Sequence, residues 1–140
     1  MSEPEDFNAR VIAEFRQNAG QVGGFFEDKD LLLLHTRGAR SGEPRLHPLV
    51  CMQTGAGLYV IASAAGSPVH PAWYHNLVAD PGVEVEFGVE RYRARAKIAT
   101  EPERGKLYDA AAVRYDFFRE YAEKTAGVRT IPVVVLERLT

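Results

Sequence analysis

The residues best suited to chemistry lie in one short polar loop of the sequence. The loop carries three arginines, one serine and two glycines: Arg37, Gly38, Arg40, Ser41, Gly42 and Arg45. Glycine lets backbone N–H groups approach an anion closely, and a guanidinium group binds two oxygens of a phosphate or carboxylate. The loop therefore predicts an anion site. From these residues alone, a solvated basic turn without a ligand stays open as the alternative.

Apolar segments flank this loop and would hold it in place. Leu31–Leu34 precede it and Leu46–Met52 follow it. Short apolar runs separated by glycine and proline are typical of buried strands joined by a turn. The loop is therefore expected at one end of a β-hairpin.

Other kinds of site find little support in the sequence. His70 and His75 are five residues apart, and no cysteine or carboxylate joins them at metal-ligand spacing. His35 and His47 flank the loop and are expected to face each other across the hairpin. Structural hydrogen bonding is the favoured role for all four histidines. The absence of G-x-S-x-G, Walker and strand-linked G-x-G-x-x-G motifs argues against a serine hydrolase and against ATP or Rossmann-type binding.

The first residues predict an amphipathic helix over Ser2–Asn18, with Ser2 and Glu5 in a capping box. Its apolar stripe consists of Phe7, Val11, Ile12 and Phe15. We interpret this helix as a lid packed on the rest of the protein. A helix lying on a membrane surface is the lesser alternative, because the polar face mixes acidic and basic residues.

The middle of the chain is rich in strand signals. Leu46–Met52 and Leu58–Ser63 are joined by a glycine-containing connector that suits a hairpin. A loop of small residues, Ala64–Pro68, could accept a flat ligand against its backbone. A short helix is predicted over His70–Ala79, ended by the Asp-Pro-Gly sequence that begins at Asp80.

Two further strands and a long helix complete the pattern. Val83–Phe87 and Tyr92–Ile98 alternate between apolar and charged residues, so acidic and basic outer rows are expected to pair across the sheet. A capping box of Thr100 and Glu103 predicts one helix that runs to about Lys124. The β-branched segment Thr130–Leu136 predicts the last strand.

This inventory, about six strands and three helices with hairpin connections, favours a mainly β (α+β) antiparallel barrel over a doubly wound sheet. The 140 residues predict a single domain, with the N-terminal helix in residues 1–20 and the barrel in residues 25–140.

Composition narrows the class of function. The formal net charge is −2, whereas nucleic-acid binders usually carry a strong basic excess. The single cysteine, Cys51, excludes an internal disulfide. The first residues do not match the pattern expected of a signal peptide, and no apolar run approaches the roughly 20 residues that span a bilayer. A cytoplasmic location is expected, with peripheral membrane contact through the first helix as the alternative.

Several motifs in order resemble the deazaflavin-dependent nitroreductase family of actinobacteria. They are Gly38–Arg45, Pro48, Ala62-Ser63, His70–Leu77 and Arg129–Leu136. The resemblance extends from about residue 22 to the C-terminus. It implies a split β-barrel that binds reduced coenzyme F(420) and passes a hydride to nitroaromatics, quinones or other electron-poor rings.

The resemblance also implies roles for individual residues. Arg40, Ser41 and Arg45, in the loop with Gly42, would hold the phosphate of the coenzyme tail. The family usually has a second basic residue where this chain has Ala39, and Arg37 is a candidate to compensate.

The ring of the coenzyme would lie against Pro48, Ala62 and Ser63. The backbone at Ala72 and Trp73 would meet the oligoglutamate tail or its linker, although Trp73 is equally well explained as a core residue.

The acceptor site is expected to involve Tyr115, Phe118 and Tyr121, which match positions that line the substrate pocket in the family. From spacing alone, the same residues could form an aromatic core stripe. Phe118 stands where tyrosine is usual, which removes one hydrogen-bond donor. Ser63, Tyr115 or Tyr121 would polarise the acceptor oxygen or supply the proton.

The sequence therefore predicts an oxidoreductase that transfers a hydride from reduced coenzyme F(420) to a small electron-poor acceptor, namely a quinone, nitroaromatic or activated enone. Two alternatives stay open: an FMN-dependent oxidoreductase on the same barrel, and a non-catalytic deazaflavin-binding protein. A monomer is weakly favoured, and no metal or nucleic acid is expected.

Overall fold

The computed structural model of the chain describes residues 4–55 and 57–139, and its centre is a closed antiparallel β-barrel. The strands are β1 (Leu31–Arg37), β2 (Pro44–Thr54), β3 (Gly57–Ile61), β4 (Gly82–Phe87), β5 (Glu90–Ile98) and β6 (Val133–Arg138). Their order around the barrel is β1-β2-β3-β6-β5-β4, and β4 pairs with β1 to close it. The predicted six-stranded antiparallel barrel is confirmed.

Four α-helices cover the barrel in the described residues: α1 (Pro4–Gln17), α2 (Ala72–Ala79), α3 (Glu103–Arg114) and α4 (Phe117–Thr125). Two 3₁₀ turns, Gly24–Phe26 and Ala64–Gly66, lie in the connections. The predicted first and short helices are confirmed. The capping box at Ser2 lies outside the described residues.

The barrel has separate apolar layers inside and outside, because successive residues of a strand point to opposite faces. Leu32 and Leu34 lie in the interior cluster, whereas Leu31 and Leu33 pack against Val11 and Phe15 of α1. All four leucines are buried, which explains the uninterrupted apolar run in β1. The helix is thus a lid on the barrel, as predicted.

The two histidines that flank the loop do not face each other. His35 pairs with Leu46, and His47 pairs with Leu34, so the imidazoles project from opposite faces of the hairpin. His35 Nε2 instead lies 2.6 Å from Glu86 Oε2 on β4. The expected contact was therefore wrong by one residue of register.

Charge pairing between β4 and β5 is confirmed for only one of the two acidic residues. Arg91 donates to both oxygens of Glu84, at 2.6 and 3.1 Å. Glu86 stands opposite Arg91 in register, but its carboxylate accepts hydrogen bonds from Arg16 of α1 at 2.7 and 3.1 Å.

The long helix predicted from Thr100 to Lys124 is two helices. The backbone of Tyr115 is extended (φ −131°, ψ 107°), which ends α3 before α4 begins. The break allows the rings of Tyr115 and Phe118 to be buried together in the cluster beneath both helices.

The capping box of Thr100 and Glu103 is also absent. Glu101 takes that role, since its carboxylate accepts the N–H of Gly105 at 2.9 Å and Nε of Arg104 at 2.8 Å.

Across residues 4–55 and 57–139, none of the helices has the length and apolar character required to cross a bilayer.

Candidate functional site

The polar loop between β1 and β2 opens onto a cavity of about 680 Å³, which we call the cationic pocket. Its lining residues are Gly38, Ala39, Arg40, Ser41, Arg45, His47, Ala72, His75 and Asn76. Two guanidinium groups line it, and no carboxylate is among these residues. The arrangement favours an anionic ligand.

Helix α2 holds the loop in place through Asn76. The Oδ1 of this buried side chain accepts the N–H of Ala39 at 3.0 Å, and its Nδ2 donates to Thr36 Oγ1 at 3.2 Å. One amide therefore joins the end of β1, the loop and the helix.

Glycine at position 38 leaves room for the Ser41 side chain in the turn. A Cβ there would lie 2.6 Å from Ser41 Oγ, which is too close for two non-bonded atoms. Ser41 Oγ accepts the N–H of Glu43 at 3.1 Å, so its hydroxyl proton stays available to a ligand.

The arginines of the loop differ in their availability. Arg40 makes no hydrogen bond or ion pair with any described residue. Arg45 makes only long contacts, 3.3 Å to Glu43 Oε2 and 3.4 Å to the Pro44 carbonyl. Both guanidinium groups can thus turn toward an anion.

Two residues expected at the anion site lie elsewhere. Arg37 donates to the Gly42 carbonyl at 3.2 Å and lines a different cleft with Asp80 and Glu84. The N–H of Gly42 donates to the Gly38 carbonyl at 2.8 Å, so it is already used within the turn. Arg37 therefore does not replace the basic residue missing at Ala39.

His47 adds an unsatisfied polar atom to the pocket. Its Nδ1 is buried and has no hydrogen-bond partner among the described residues. Burial, together with the charge of Arg45, lowers the pKa of His47, so the imidazole is neutral near pH 7. A buried nitrogen without a partner is costly, and a bound ligand could supply one.

A second cavity of about 660 Å³ also takes lining residues from β2 and α2, and we call it the aromatic pocket. Its lining residues are Asn8, Phe25, Phe26, Pro48, Leu49, Val50, Ile61, Ser63, Ala64, Ala65, Trp73, Phe117, Phe118 and Tyr121. His47 and Pro48 are consecutive on β2, and Ala72 and Trp73 are consecutive on α2. The two pockets therefore take lining residues from neighbouring positions of the same strand and helix.

Two hydroxyl groups in the aromatic pocket are free to act on a ligand. Ser63 Oγ and the Tyr121 hydroxyl make no hydrogen bond with any described residue. Burial raises the pKa of Tyr121 above its ordinary value, so the phenol keeps its proton at neutral and moderately alkaline pH.

Of the remaining residues predicted to contact the coenzyme ring or the acceptor, some line the aromatic pocket and others do not. Trp73 is buried, belongs to the barrel interior and also lines the pocket. Phe118 lines it while nearly fully buried.

Tyr115 is not among the lining residues. Its hydroxyl oxygen accepts the N–H of Asp30 at 3.4 Å, and its ring stacks on Phe117. Ala62 also lies outside the pocket, with its side chain in the barrel interior.

Several lining residues were missed by sequence reasoning. His47 is two residues from Arg45 on a strand, and His75 and Asn76 are three and four residues from Ala72 on a helix, so strand and helix periodicity could have found them. Phe25 and Phe26 belong to a 3₁₀ turn that lines the pocket. No strand or helix periodicity in the sequence indicated that Phe117 would line the pocket.

In the part of the chain that the structure describes, no group of three or more histidine, cysteine, aspartate or glutamate residues could hold a metal ion.

Comparison with known proteins agrees with this geometry. The family model of the F(420)H(2)-dependent quinone reductases matches residues 8–138. An F(420)H(2)-dependent quinone reductase of Mycobacterium tuberculosis is 39% identical over 113 residues, covering 76% of this chain and 72% of the relative.

Solved structures of similar chains share the fold. An F(420)H(2)-dependent reductase, FDR-A, superposes with a TM-score of 0.69 at 34% identity, over 77% of this chain and 94% of its own. A second structure, a domain-swapped dimer, has a TM-score of 0.71 at 32% identity, over 96% of this chain and all of its own. The expectation of a monomer receives no support from that neighbour.

Proposed function

The chain belongs to the F(420)H(2)-dependent quinone reductase family, and from that membership we propose that its two pockets hold the coenzyme and the acceptor. Its activity is the transfer of a hydride from reduced coenzyme F(420) to a quinone-type acceptor. The observation that carries the proposal is the pairing of a carboxylate-free cationic pocket with an aromatic one along the same strand and helix.

The cationic pocket fits the acidic tail of the coenzyme. Arg40 and Arg45 would bind phosphate oxygens, and the Ser41 hydroxyl would donate to one of them. The unpartnered nitrogen of His47 offers a further hydrogen bond. Ala72 lies at the first turn of α2, beside these groups, and would contact the tail through its backbone.

The aromatic pocket fits a flat ring with a second flat molecule above it. Pro48 and Ser63 would lie against the ring of the coenzyme, close to Trp73. Phe25, Phe117 and Tyr121 provide the aromatic surfaces on which an acceptor would stack. When bound, the reduced coenzyme supplies the hydride, and the protein contributes binding, orientation and exclusion of water.

The chain's own residues have defined tasks in this arrangement. Tyr121 or Ser63 would donate a hydrogen bond to the acceptor oxygen and so stabilise the negative charge that develops there. Tyr115 is a weaker candidate because it does not line the pocket. A nitroaromatic or an activated enone has the same flat, electron-poor character as a quinone, and we expect both to be accepted.

Both alternatives raised by the sequence are weaker. A carrier without activity would use the aromatic pocket for the coenzyme ring alone, whereas membership of a quinone reductase family favours an acceptor in the same pocket. FMN also offers a phosphate and a tricyclic ring, so it serves as the competitor in the binding test. The cytoplasmic location and the peripheral membrane contact stay predictions. The oligomeric state is also a prediction, and light scattering would measure it.

The proposal is tested by titrating the protein with oxidised coenzyme F(420) and following tryptophan and coenzyme fluorescence. We expect Arg45→Ala to weaken binding about tenfold or more, since it removes a charge-assisted contact to the phosphate. The matched control is Arg138→Ala, because Arg138 pairs with Glu90 and lines neither pocket. FMN binding in preference to coenzyme F(420), or equal affinity for both variants, would contradict the proposal.

A further inference from the structure

Arg129, which follows α4, binds a single loop with nearly all of its guanidinium group. Nε donates to the Ser67 carbonyl at 2.9 Å, Nη1 to the Ala62 carbonyl at 3.2 Å and Nη2 to the Ser63 carbonyl at 2.8 Å. Nη1 also lies 2.8 Å from His70 Nδ1. Because arginine only donates, this nitrogen is the acceptor, and the imidazole is neutral.

No carboxylate of the described residues forms an ion pair or hydrogen bond with this cation. Every hydrogen bond of the guanidinium group with a described residue goes to a carbonyl oxygen or to the neutral His70. Other arginines, such as Arg16 and Arg91, are paired with glutamates. Arg129 thus binds backbone carbonyls, and within the described part of the chain no carboxylate compensates its positive charge.

The loop that Arg129 holds has an unusual conformation. Ala64, Ala65 and Gly66 all have positive φ angles, of 46°, 53° and 79°. Alanine rarely adopts left-handed backbone, and such residues persist only where their surroundings enforce the conformation. The three carbonyl contacts of Arg129 enclose this turn from both sides and supply that enforcement.

The same conformation leaves a row of donors unused. The turn is closed by the N–H of Gly66 to the Ser63 carbonyl and by the N–H of Ser67 to the Ala64 carbonyl, both at 2.9 Å. The N–H groups of Ser63, Ala64 and Ala65 make no hydrogen bond with any described residue. These three residues line the aromatic pocket. A right-handed residue followed by left-handed ones gathers successive N–H groups into a concave site for electronegative oxygens.

Arg129 also fixes the distance between this loop and α4. Its own N–H donates to the Thr125 carbonyl at the end of the helix, at 3.1 Å. The loop approaches the helix so closely that a Cβ on Gly66 would lie 2.9 Å from Lys124 Cδ and 3.3 Å from Tyr121 Cδ1. Arg129 therefore connects two walls of the aromatic pocket, the loop through its side chain and α4 through its backbone N–H.

We infer that Arg129 is a positioning residue that holds Ser63–Ala65 as a row of free N–H donors for the ring oxygens of the bound coenzyme. The inference rests on the proposed function for the identity of the ligand, whereas the loop conformation can be tested on the free protein. Arg129 itself contacts neither ligand in this assignment, because it reaches the pocket only through the carbonyls that it holds.

The test compares Arg129→Lys with the wild-type protein by amide hydrogen exchange and by coenzyme binding. Lysine keeps the charge but cannot reach all the carbonyls. We expect the amides of Gly66 and Ser67 to exchange faster, and the Kd for oxidised coenzyme F(420) to rise about tenfold, equivalent to roughly 1.4 kcal/mol. The matched control is Arg104→Gln, because Arg104 donates to the Ile131 carbonyl and does not touch the loop.

A double variant distinguishes a positioning role of Arg129 from a general loss of protein stability. Glycine adopts left-handed backbone without strain, so Ala65→Gly should restore most of the affinity lost in Arg129→Lys. Millimolar guanidinium should restore affinity in Arg129→Ala, because the free ion can donate to the carbonyls that the arginine side chain contacts.

Unchanged exchange at Gly66 and Ser67 in Arg129→Lys, or no rescue by either route, would overturn the inference. If the wild-type protein fails to bind the coenzyme while exchange in the variant still quickens, the proposed function fails and the loop assignment stands.

Discussion

Glu86 is a carboxylate with little access to water, placed between two basic groups. Arg16 donates to both of its oxygens, and His35 Nε2 lies 2.6 Å from one of them. The hydrogen bond from Arg16 is the largest cause that lowers the pKa of Glu86, to about 2. This residue therefore attaches α1 to β1 and β4 by charge as well as by apolar contact.

The low pKa of Glu86 predicts a loss of stability in acid. A carboxyl group whose pKa falls on folding stabilises the protein fully at pH values above its unfolded-state pKa, near 4.3. That stabilisation disappears as the pH falls toward the folded-state pKa. Arg16 is half exposed, so screening by water reduces the contribution to about 2 kcal/mol. Urea unfolding at pH 7 and pH 3 should show roughly half of this contribution being lost. Glu86→Gln should remove that share of the pH dependence and leave the shares of Glu84 and Glu101.

Glu84→Gln is the matched control, because Glu84 forms a more exposed pair with Arg91. We expect a change of less than about 1 kcal/mol at pH 7. An equal effect of the two substitutions would show that Glu86 is no more important than an ordinary surface ion pair.

Tyr121 offers a test at the acceptor site. Its hydroxyl is unpaired within the described residues and its pKa is raised, so it can donate a hydrogen bond throughout the neutral range. Tyr121→Phe should lower kcat with a quinone about tenfold or more while KM changes little, because the contact strengthens as charge develops on the oxygen.

Tyr115→Phe provides the comparison for Tyr121, since its hydroxyl accepts from Asp30 outside the pocket. Ser63→Ala tests the other free hydroxyl. If kcat falls in Ser63→Ala and not in Tyr121→Phe, the serine has the role assigned to the tyrosine.

At the scale of elements, the junction between α3 and α4 depends on packing rather than on a helix-breaking residue. No glycine or proline lies between Arg114 and Phe117, so helical periodicity continued through the segment in the sequence. The extended backbone at Tyr115 buries its ring against Phe117 and Phe118. Local propensity could not reveal a break that tertiary contacts impose.

Tyr115→Ala should therefore destabilise the protein by about 3 kcal/mol, the usual cost of removing a buried aromatic ring. Tyr115→Phe keeps the ring and loses one long hydrogen bond, so it should cost less than about 1 kcal/mol. Urea unfolding measures both. Equal losses would show that the hydroxyl, and not the ring, maintains the junction.

At the scale of the molecule, the sequence predicted the strand pairings between segments that are close together in the chain. The hairpins β1–β2, β2–β3 and β4–β5 follow from alternation and turn residues close together in the chain. The pairings that close the barrel join distant residues, such as His35 with Glu84 and Leu58 with Leu136, and no local pattern specifies them.

The site likewise contains residues that are close in the sequence and residues that only folding brings together. Arg40, Ser41 and Arg45 lie within six residues of one another and were predicted to act together, which the cationic pocket supports. Phe25 and Asn8 reach the aromatic pocket only because α1 and the following turn fold over it. Arg129 was seen only as part of a motif, since its partners lie more than 50 residues earlier.

The closed barrel also limits how copies of the chain can associate. Each strand in the described part of the chain has a hydrogen-bonded neighbour on both sides, so none has an edge that is open over its whole length, although Pro44–Val50 of β2 pairs only with β1. Aggregation through main-chain pairing along a whole strand therefore has to open one of the six ladders first. Such association should be slow in native buffer and accelerate at denaturant concentrations that loosen the barrel.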